Sequence, residues 1–458
     1  MEIIVMKIKP ALFFIPLLMV SFASAQQNQL DNYIDSALAH NIVIQQKNIS
    51  LQKAVLGLAI AKSYYMPSVA FEAGYQTADG GRQIQLPIGD LLNGVYGTLN
   101  QLTGSNRFPQ LENQVINFLP SNFYDAKIHA VMPVIDAEIG YRKKITDQQI
   151  ALSALDIAVY KRTLIRDVKT AYYNYLAATA AIQIHAQSLV LAEEGKRVNQ
   201  SLLDNGKGLP AYVMRSESEV EQAKAQLSTA RQQANNAKIY FNFLLNRPQQ
   251  SLIDSNFNAM EQLSAVIPLL TREEDGAKRE ELVASKQLVA IHKTTVQLNR
   301  SAFYPKLNSF LDVGSQSENW KFNSESRYYM LGLQLAVPIF LGNRTKNQVR
   351  QAQLDMDQAK LNVAQTQQQL SMAAKAAQNN LLAAWETLQS TKKQLEAAAA
   401  YQRLIDRGYR AGVNTFLETI DARNQFAQAR IAENIQEYKV LSAAADFERE
   451  AAIEPLKK

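Results

Sequence analysis

Four segments of the chain alternate between apolar and polar residues with a period of two. They lie at about 68–77, 122–133, 306–316 and 327–338. Because the side chains of a strand alternate between its two faces, each segment is predicted to form a strand with one apolar and one polar face. Each is near ten residues long, the length of a tilted strand that crosses a membrane.

Most of the remaining chain is predicted to be helical, and some of the helices are very long. They are expected at about 30–63, 142–204, 211–245, 279–301, 345–407 and 413–452. Proline and glycine residues separate them and end helices. A helix of about 60 residues is ~90 Å long, so these helices are predicted to pack along their lengths as coiled-coil-like pairs.

The same unit occurs twice. The segment "DNGKGLPAYVMRSESEVEQAK" at 204–224 is similar to "RGYRAGVNTFLETIDARNQFAQAR" at 407–430, and "AVMPVIDAEIGYRKKITDQQ" at 130–149 is similar to "LAVPIFLGNRTKNQVRQAQ" at 335–353. Each copy has the order helix, strand, loop, strand, very long helix, tight turn, helix. This self-similarity predicts a duplicated structural unit.

The N-terminus has the features of a secretory signal peptide. Lys7 and Lys9 precede an apolar run at 11–22, and "ASA" follows at 23–25. A transmembrane anchor is the alternative, but the run is short and contains Pro16. We therefore predict a signal peptide at 1–25, a first repeat at 26–250, an equatorial segment at 251–278 and a second repeat at 279–458.

Composition narrows the possible functions. The chain has no cysteine, which excludes disulfides and thiolate metal sites. Its net charge is +6, but acidic and basic residues are interspersed, so nucleic acid is not an expected partner. Common metalloprotease, phosphate-loop, hydrolase and dinucleotide motifs are absent from the sequence. We therefore expect no catalytic residues, no bound metal, no cofactor and no enzymatic activity.

Four membrane strands cannot form a closed barrel, because bacterial barrels have about eight strands or more. The sequence therefore predicts that two or three chains assemble around one axis. The polar faces of the strands would then line a shared aqueous lumen. The residues predicted to face this lumen are Glu72, Asp125, Lys127 and His129.

The chain resembles the TolC-type outer-membrane efflux proteins over essentially its whole mature length. The resemblance lies in "VPIFLGNRTKNQVRQA" at 337–352, "GYRAGVNTFLETIDARNQFAQAR" at 408–430 and "RSAFYPKLN" at 300–308. It implies a mainly helical protein with a transmembrane β-barrel. Three chains would form a 12-strand barrel in the outer membrane and a 12-helix tunnel that extends into the periplasm. An inner-membrane pump and a periplasmic adaptor would be the partners, with outer-membrane lipid around the barrel.

The resemblance also implies a gate at the periplasmic end. The acidic gate residues of the family correspond to Glu418 and Asp421, which share a helix face. They are alternatively ordinary acidic residues near a helix N-terminus, where the dipole favours negative charge. Glu217 is aligned with Asp421 and is a further candidate.

A tyrosine and a basic residue form part of a latch in the family. Tyr409 matches the tyrosine. The basic position falls at Asn414, which cannot form a salt bridge, and Met214 occupies the acidic partner position. The latch is therefore expected to be weaker or differently built in this chain.

The two helix turns are candidates for adaptor docking. They contain Gly206, Gly208, Gly408 and Gly412, with Gly408 and Gly412 in place of the glycines of the first turn. Plain helix-breaking turns are the alternative.

Residues 78–121 form a much longer connection than residues 317–326. A structureless loop of this length is unusual, so we predict an ordered external cap over the barrel mouth, with an exposed surface loop as the alternative.

The predicted function is therefore a passive exit duct for efflux or type I secretion. A periplasmic adaptor and a structural coiled coil without channel activity remain as alternatives. The sequence does not specify the cargo.

Overall fold

The computed structural model describes residues 29–272 and 276–453. The predicted signal peptide lies outside them. The helices are α1 (Gln29–His40), α2 (Ile42–Ser63), α3 (Ile88–Thr103), α4 (Ala137–Asp204), α5 (Pro210–Leu244), α6 (Ala259–Leu270), α7 (Glu280–Ser301), α8 (Arg344–Arg410) and α9 (Phe416–Ala451). The strands are β1 (Ser68–Gln76), β2 (Gln83–Leu86), β3 (Gln114–Asn117), β4 (Phe123–Ile135), β5 (Lys306–Glu318) and β6 (Arg327–Ala336).

The described chain divides into two compact units. Residues 29–42, 161–272 and 376–449 form the helical unit, and residues 43–160, 276–375 and 450–453 form the sheet unit. The long helices α4 and α8 run through both units. With 68 and 67 residues they are each ~100 Å long.

An aromatic cluster forms part of the core of the helical unit. Tyr33 of α1 and Tyr172 of α4 lie against Phe241 of α5, with ring centroids 5.1 and 5.6 Å away. Phe257 closes the cluster edge-on to Tyr172 at 5.7 Å. The buried hydroxyl of Tyr172 donates a hydrogen bond to the carbonyl of Asp254 at 2.9 Å. The cluster thus joins three helices to the segment that precedes α6.

The first predicted helix is interrupted at one residue. The structure contains α1 and α2 on either side of Asn41, whereas the sequence predicted one helix over 30–63. The side chain of Asn41 is buried and donates a hydrogen bond to the carbonyl of Leu244, the last residue of α5, at 3.0 Å. The prediction of a continuous helix was wrong because this contact between distant segments has no local signal.

The sheet unit contains a four-stranded antiparallel sheet in the order β1-β4-β5-β6. Strand β4 comes from the first repeat and β5 from the second, and they pair with His129 opposite Asp312. Their pairing therefore joins the two repeats in the middle of the sheet. Among the described strands, β1 and β6 are each paired on one side only.

The apolar faces of the strands are open to solvent in the single chain. Phe71 of β1 is 73% exposed, and Leu331 of β6 is 72% exposed. These residues belong to the sets predicted to lie on the apolar face. A soluble sheet would bury such a face. The sheet is therefore built to contact an apolar environment outside the single chain.

The long connection contains secondary structure of its own. Strands β2 and β3 pair with Ile84 opposite Ile116, and α3 lies between them. The sequence predicted four strands, whereas the described chain has six, because β2 and β3 form an additional pair. The short segments "QIQL" and "QVIN" lack the length that identified the other strands. The role of this connection as a cap stays a prediction.

Among the described helices, α4 contains one segment that is long and apolar enough to cross a membrane by length and composition alone. Core helices of soluble proteins satisfy the same criterion, so the segment is weak evidence of a span.

Asn242 holds the chain where it leaves α5. Its fully buried amide donates hydrogen bonds to the carbonyls of Gln249 and Ser251, at 2.7 and 3.1 Å, and accepts one from Arg247 at 2.6 Å.

We expect Asn242→Ala to lower the free energy of unfolding by about 2 kcal/mol, because it leaves buried polar groups without partners. Thermal unfolding of the detergent-solubilised protein measures the loss. Gln249→Ala is the control, because only its backbone takes part, and equal melting of both variants would contradict this role of Asn242.

Candidate functional site

The polar face of the sheet carries a network of charged side chains centred on Asp312. Its side chain is 2% exposed, and its two carboxylate oxygens contact His129 Nδ1 and Lys127 Nζ, the latter at 3.2 Å. Lys127 also lies 3.8 Å from the carboxylate of Glu72 on β1. The network thus extends across three neighbouring strands and brings together three of the four residues predicted to face the lumen.

The fourth predicted residue belongs to the same face. Asp125 accepts a hydrogen bond at 2.9 Å from the hydroxyl of Tyr328 on β6. Between them on β5 is Gly314, where an added Cβ would lie 2.7 Å from the Cβ of Lys127. A glycine at this position gives Lys127 the room to lie across β5.

Sequence reasoning missed Asp312 and Tyr328. The alternation of β5 places Asp312 on the polar face, but nothing local predicts that β4 pairs with β5 in the register that sets it opposite His129. The pairing register was the missing information.

Aromatic side chains lie at both ends of the apolar face. At the end that carries the loop connections, Trp320 stacks on Tyr75 and Tyr124, with ring centroids 5.4 and 5.5 Å apart. At the end next to the helices, exposed aromatic residues flank the strands: Tyr64, Tyr65, Phe303, Tyr304 and Phe340. An apolar band between two aromatic girdles is typical of membrane strands.

The turns that end α4 and α8 have the same backbone structure. Gly206 and Gly412 both have positive φ angles, of 71° and 76°. In each turn, two backbone N–H groups satisfy carbonyls of the last helical turn: Gly206 to Leu203, Lys207 to Leu202, Gly412 to Tyr409 and Val413 to Gly408. Both turns are Schellman motifs, which explains the requirement for glycine.

This geometry corrects two sequence correspondences. Gly408 lies inside α8, so Gly412 is the counterpart of Gly206, and α5 and α9 begin four residues later at Pro210 and Phe416. Asp421 is five residues after the first residue of α9, and Arg215 is five residues after the first residue of α5. Asp421 therefore corresponds to Arg215, not to Glu217. The alignment of Glu217 with Asp421 was wrong by two residues, because it matched acidic residues instead of turn geometry.

The other two glycines of the turns provide room for close contacts. At Gly208 an added Cβ would lie 2.7 Å from the backbone nitrogen of Leu203. At Gly408 an added Cβ would lie 1.8 Å from the amide oxygen of Asn414. The backbone therefore confines position 208 to glycine, whereas at position 408 the side chain of Asn414 would have to move.

Glu418 caps the start of α9. Its carboxylate accepts hydrogen bonds from the backbone N–H of Thr415 at 2.6 Å and from the Asn414 amide at 3.2 Å. In return the N–H of Glu418 donates to the Thr415 hydroxyl at 3.3 Å. This reciprocal pair is a capping box. The backbone hydrogen bond from Thr415 is the main reason why the pKa of Glu418 lies below its usual value.

The other two acidic candidates have different surroundings. Asp421 is exposed and accepts a hydrogen bond from Gln425 on its own helix at 2.8 Å. Glu217 forms an ion pair with Lys196 of α4 at 3.0 Å. Within the described chain, Asp421 is therefore open to solvent, whereas Glu217 has a cationic neighbour that offsets its charge.

The two latch candidates belong to one turn. The Tyr409 ring packs against Phe416 at 6.2 Å between centroids, and burial raises the pKa of its hydroxyl. Asn414 contacts Glu418 and Gly408, as described above. Sequence reasoning missed Arg423, which donates hydrogen bonds to the Leu191 carbonyl at 3.3 Å and to Asp406 at 3.5 Å. Arg423 thus connects α9 to both long helices.

Next to the turns, α4, α5 and α9 enclose a cavity of about 540 Å³. Its lining is mostly apolar and includes Leu191, Phe416 and Ile420. Arg423 and Glu219 add charged groups at its wall. An apolar groove beside two exposed turns has the character of a protein-docking surface.

Residues 275–449 match the family model described as outer membrane efflux protein. This matched region contains β5, β6, the second turn and its capping box. Over these residues the chain is similar to outer membrane efflux proteins. This similarity agrees with the apolar, aromatic-bounded face of its sheet.

Several curated relatives align with this chain. The pyoverdine export outer membrane protein OpmQ of Pseudomonas aeruginosa is 26% identical over 334 residues, which are 68% of each chain. OpmQ of Pseudomonas putida is 25% identical over 61% of this chain, and the alignment spans only 59% of that relative. The alkaline protease secretion protein AprF of Pseudomonas aeruginosa is 21% identical over 86% of this chain and 84% of its own length.

Solved channel structures have the same fold. The CmeC outer membrane channel of Campylobacter jejuni superimposes with a TM-score of 0.72 and 15% identity, over 92% of this chain and 85% of CmeC. The MtrE channel of Neisseria gonorrhoeae gives a TM-score of 0.71 and 17% identity, over 92% of this chain and 88% of MtrE.

The two faces of β6 predict opposite tolerance to charge. Leu333 lies on the apolar face and is 69% exposed in the single chain, whereas its neighbour Gln334 points to the polar face. We expect Leu333→Arg to destabilise the membrane-inserted protein by ~2–4 kcal/mol. Gln334→Arg is the matched control and should leave insertion intact. The amount of heat-resistant protein in outer-membrane fractions measures the effect, and equal loss in both variants would contradict the assigned faces.

The capping box predicts a pH-dependent helix start. Because the folded protein holds the pKa of Glu418 below its value in the unfolded chain, the carboxylate stabilises the turn at neutral pH. That stabilisation is lost as the pH falls through the folded pKa. Hydrogen exchange of the first amides of α9 should therefore accelerate on acidification. Glu418→Gln, which keeps an acceptor oxygen, should remove this pH dependence, and an unchanged pH profile would contradict the capping role.

Proposed function

We propose that three copies of the chain form a continuous exit duct through the outer membrane. The single observation that carries this proposal is the four-stranded sheet with an apolar outer face and two edge strands, β1 and β6, that are each paired on one side. In a membrane an unpaired edge has no water to satisfy its backbone groups. Pairing β6 of one copy with β1 of the next removes every edge.

The number of chains follows from the resemblance to TolC-type proteins. Three copies give a barrel of 12 strands and a helical tunnel of 12 helices. Glu72, Asp125, Lys127 and His129 would then face the lumen. The charged network around Asp312 supports this assignment, because such a network requires a polar environment.

The turns would form the periplasmic entrance. Three copies of Asp421 would form an acidic ring that favours cations, with Glu418 as a second ring whose side chain also caps α9. Glu217 would contribute less because Lys196 lies beside it. Tyr409 and Asn414 would stabilise the turn of their own chain.

The same end of the helical unit is the proposed docking site for a periplasmic adaptor. The turns that contain Gly206, Gly208, Gly408 and Gly412 are exposed at their tips, and the apolar cavity lies beside them. The printed names of the relatives describe export, efflux-pump and secretion proteins. By this analogy an inner-membrane pump would supply the energy, and this protein would be a passive duct without enzymatic activity or cofactor.

The first test is the mass of the purified protein in detergent together with its conductance in a planar bilayer. We expect particles of three chains that conduct and prefer cations. A monomer, or trimers that do not insert into the membrane, would contradict the duct.

The gate assignment is tested by charge removal at constant size. We expect Asp421→Asn to reduce cation selectivity, because it removes three equivalent charges from the entrance. Asp357→Asn on α8, which removes an exposed acidic residue paired with Lys360, is the control.

Two variants separate the charge of Glu418 from its capping role. Glu418→Gln retains the cap, whereas Glu418→Ala removes it. If selectivity falls equally in both Glu418 variants, its charge matters. If it falls only with Ala, Glu418 acts through the turn.

A further inference from the structure

The long connection between β1 and β4 presents an apolar helix face that its own chain leaves uncovered. Helix α3 exposes Leu91, Val95 and Leu102, which are 70%, 54% and 78% accessible. Their spacing of four and seven residues places them on one side of the helix. A helix in water would keep this side polar, so the face requires a partner.

The opposite side of α3 is fixed by three asparagines. Asn93 exchanges hydrogen bonds with the backbone of Leu111 at 2.8 and 3.0 Å, and Asn100 does the same with Phe108. Asn113 accepts hydrogen bonds from the first N–H groups of α3. The orientation of the helix relative to its return segment is therefore fixed, and the apolar side points away from it.

Two glycines in the middle of α3 have no role within the single chain. An added Cβ at Gly94 or Gly97 would have nothing within 4 Å, and neither residue needs a positive φ. Each glycine costs about 1 kcal/mol of helix stability relative to alanine. Gly94 lies next to the apolar side, where a small residue lets a second helix approach closely.

The absence of charge identifies the kind of partner. Residues 83–106 contain one charged residue, Asp90, which accepts a hydrogen bond from Asn113 at 2.9 Å. Phosphate-bearing lipid headgroups would require lysine or arginine. Close to a three-fold axis like residues meet, and charged ones would repel each other, so a neutral apolar face fits contact with its own copies.

We propose that the apolar face of α3 packs against α3 of the neighbouring copies and closes the outer mouth of the duct. The proposal rests on the proposed trimer. The connection leaves the sheet at Gln76 and returns at Phe123, which are paired at the end away from α2 and α4. Three such connections would surround the barrel mouth.

The length of α3 matches the width of the proposed barrel. A 12-strand barrel is roughly 24 Å wide between strand backbones. Helix α3 has 16 residues and is therefore ~24 Å long. Three copies are long enough to meet over the opening.

Cysteine crosslinking tests the contact, since the chain has no cysteine of its own. Leu102→Cys and Val95→Cys are each introduced singly, and intact outer membranes are oxidised. We expect disulfide-linked dimers at whichever of the two positions lies nearer the three-fold axis. Because a disulfide joins two of three equivalent chains, dimers should level off at about two thirds of the protein. Glu112→Cys, exposed on the return segment at the opposite side of α3, is the matched control and should remain monomeric.

The function of the contact is measured on the same samples. Oxidised trimers of the variant that crosslinks should conduct less than reduced ones, and a reductant should restore the conductance. Trimers that form no disulfide at either position, or that crosslink equally at position 112, would overturn the α3 contact and leave the duct standing. Absence of trimers by light scattering would overturn both.

Discussion

Backbone hydrogen bonding at the edges of a membrane sheet constrains every other part of this protein. Hydrocarbon offers no partner to an unpaired N–H or carbonyl group, and β1 and β6 each have one unpaired side in the single chain. In the proposed trimer, the neighbouring chains complete the sheet. Within the sheet unit, both loop connections lie at one end of the sheet, and the connections to α2, α4, α7 and α8 lie at the other.

The polar face of the sheet has a different constraint. Asp312 is buried by the sheet of a single chain, where its negative charge requires compensation. Lys127 of β4 provides a positive charge, and His129 contacts the other carboxylate oxygen, while Glu72 and Asp125 continue the polar surface to either side. The polar face is consequently a set of mutually oriented polar and charged side chains, whose positions depend on the pairing of β4 with β5. That pairing also holds the two repeats together.

Much of the fold could be predicted from local patterns, and the errors have physical causes. Alternation over ten residues identified β1, β4, β5 and β6, and glycines marked both turns. The break at Asn41 was not predictable, because its cause is a hydrogen bond to Leu244 about 200 residues away. The same applies to Asp312, which depends on strand register. Glu418 could have been recognised as a capping residue from "TFLE" alone, since Thr415 and Glu418 have the spacing of a capping box.

The two Schellman turns have a consequence for stoichiometry. Their backbones are equivalent, but one is followed by Leu209 and Pro210 and the other by the Thr415–Glu418 cap. In a ring of three chains the tips would alternate, with six similar backbones and three side-chain sets of each kind. Six copies of a partner that recognises only the turn backbone would bind to one ring, but only three copies of a partner that recognises the side chains of one turn. The duplication would thus let one ring of three chains bind a partner in either of two ratios, two per chain or one per chain.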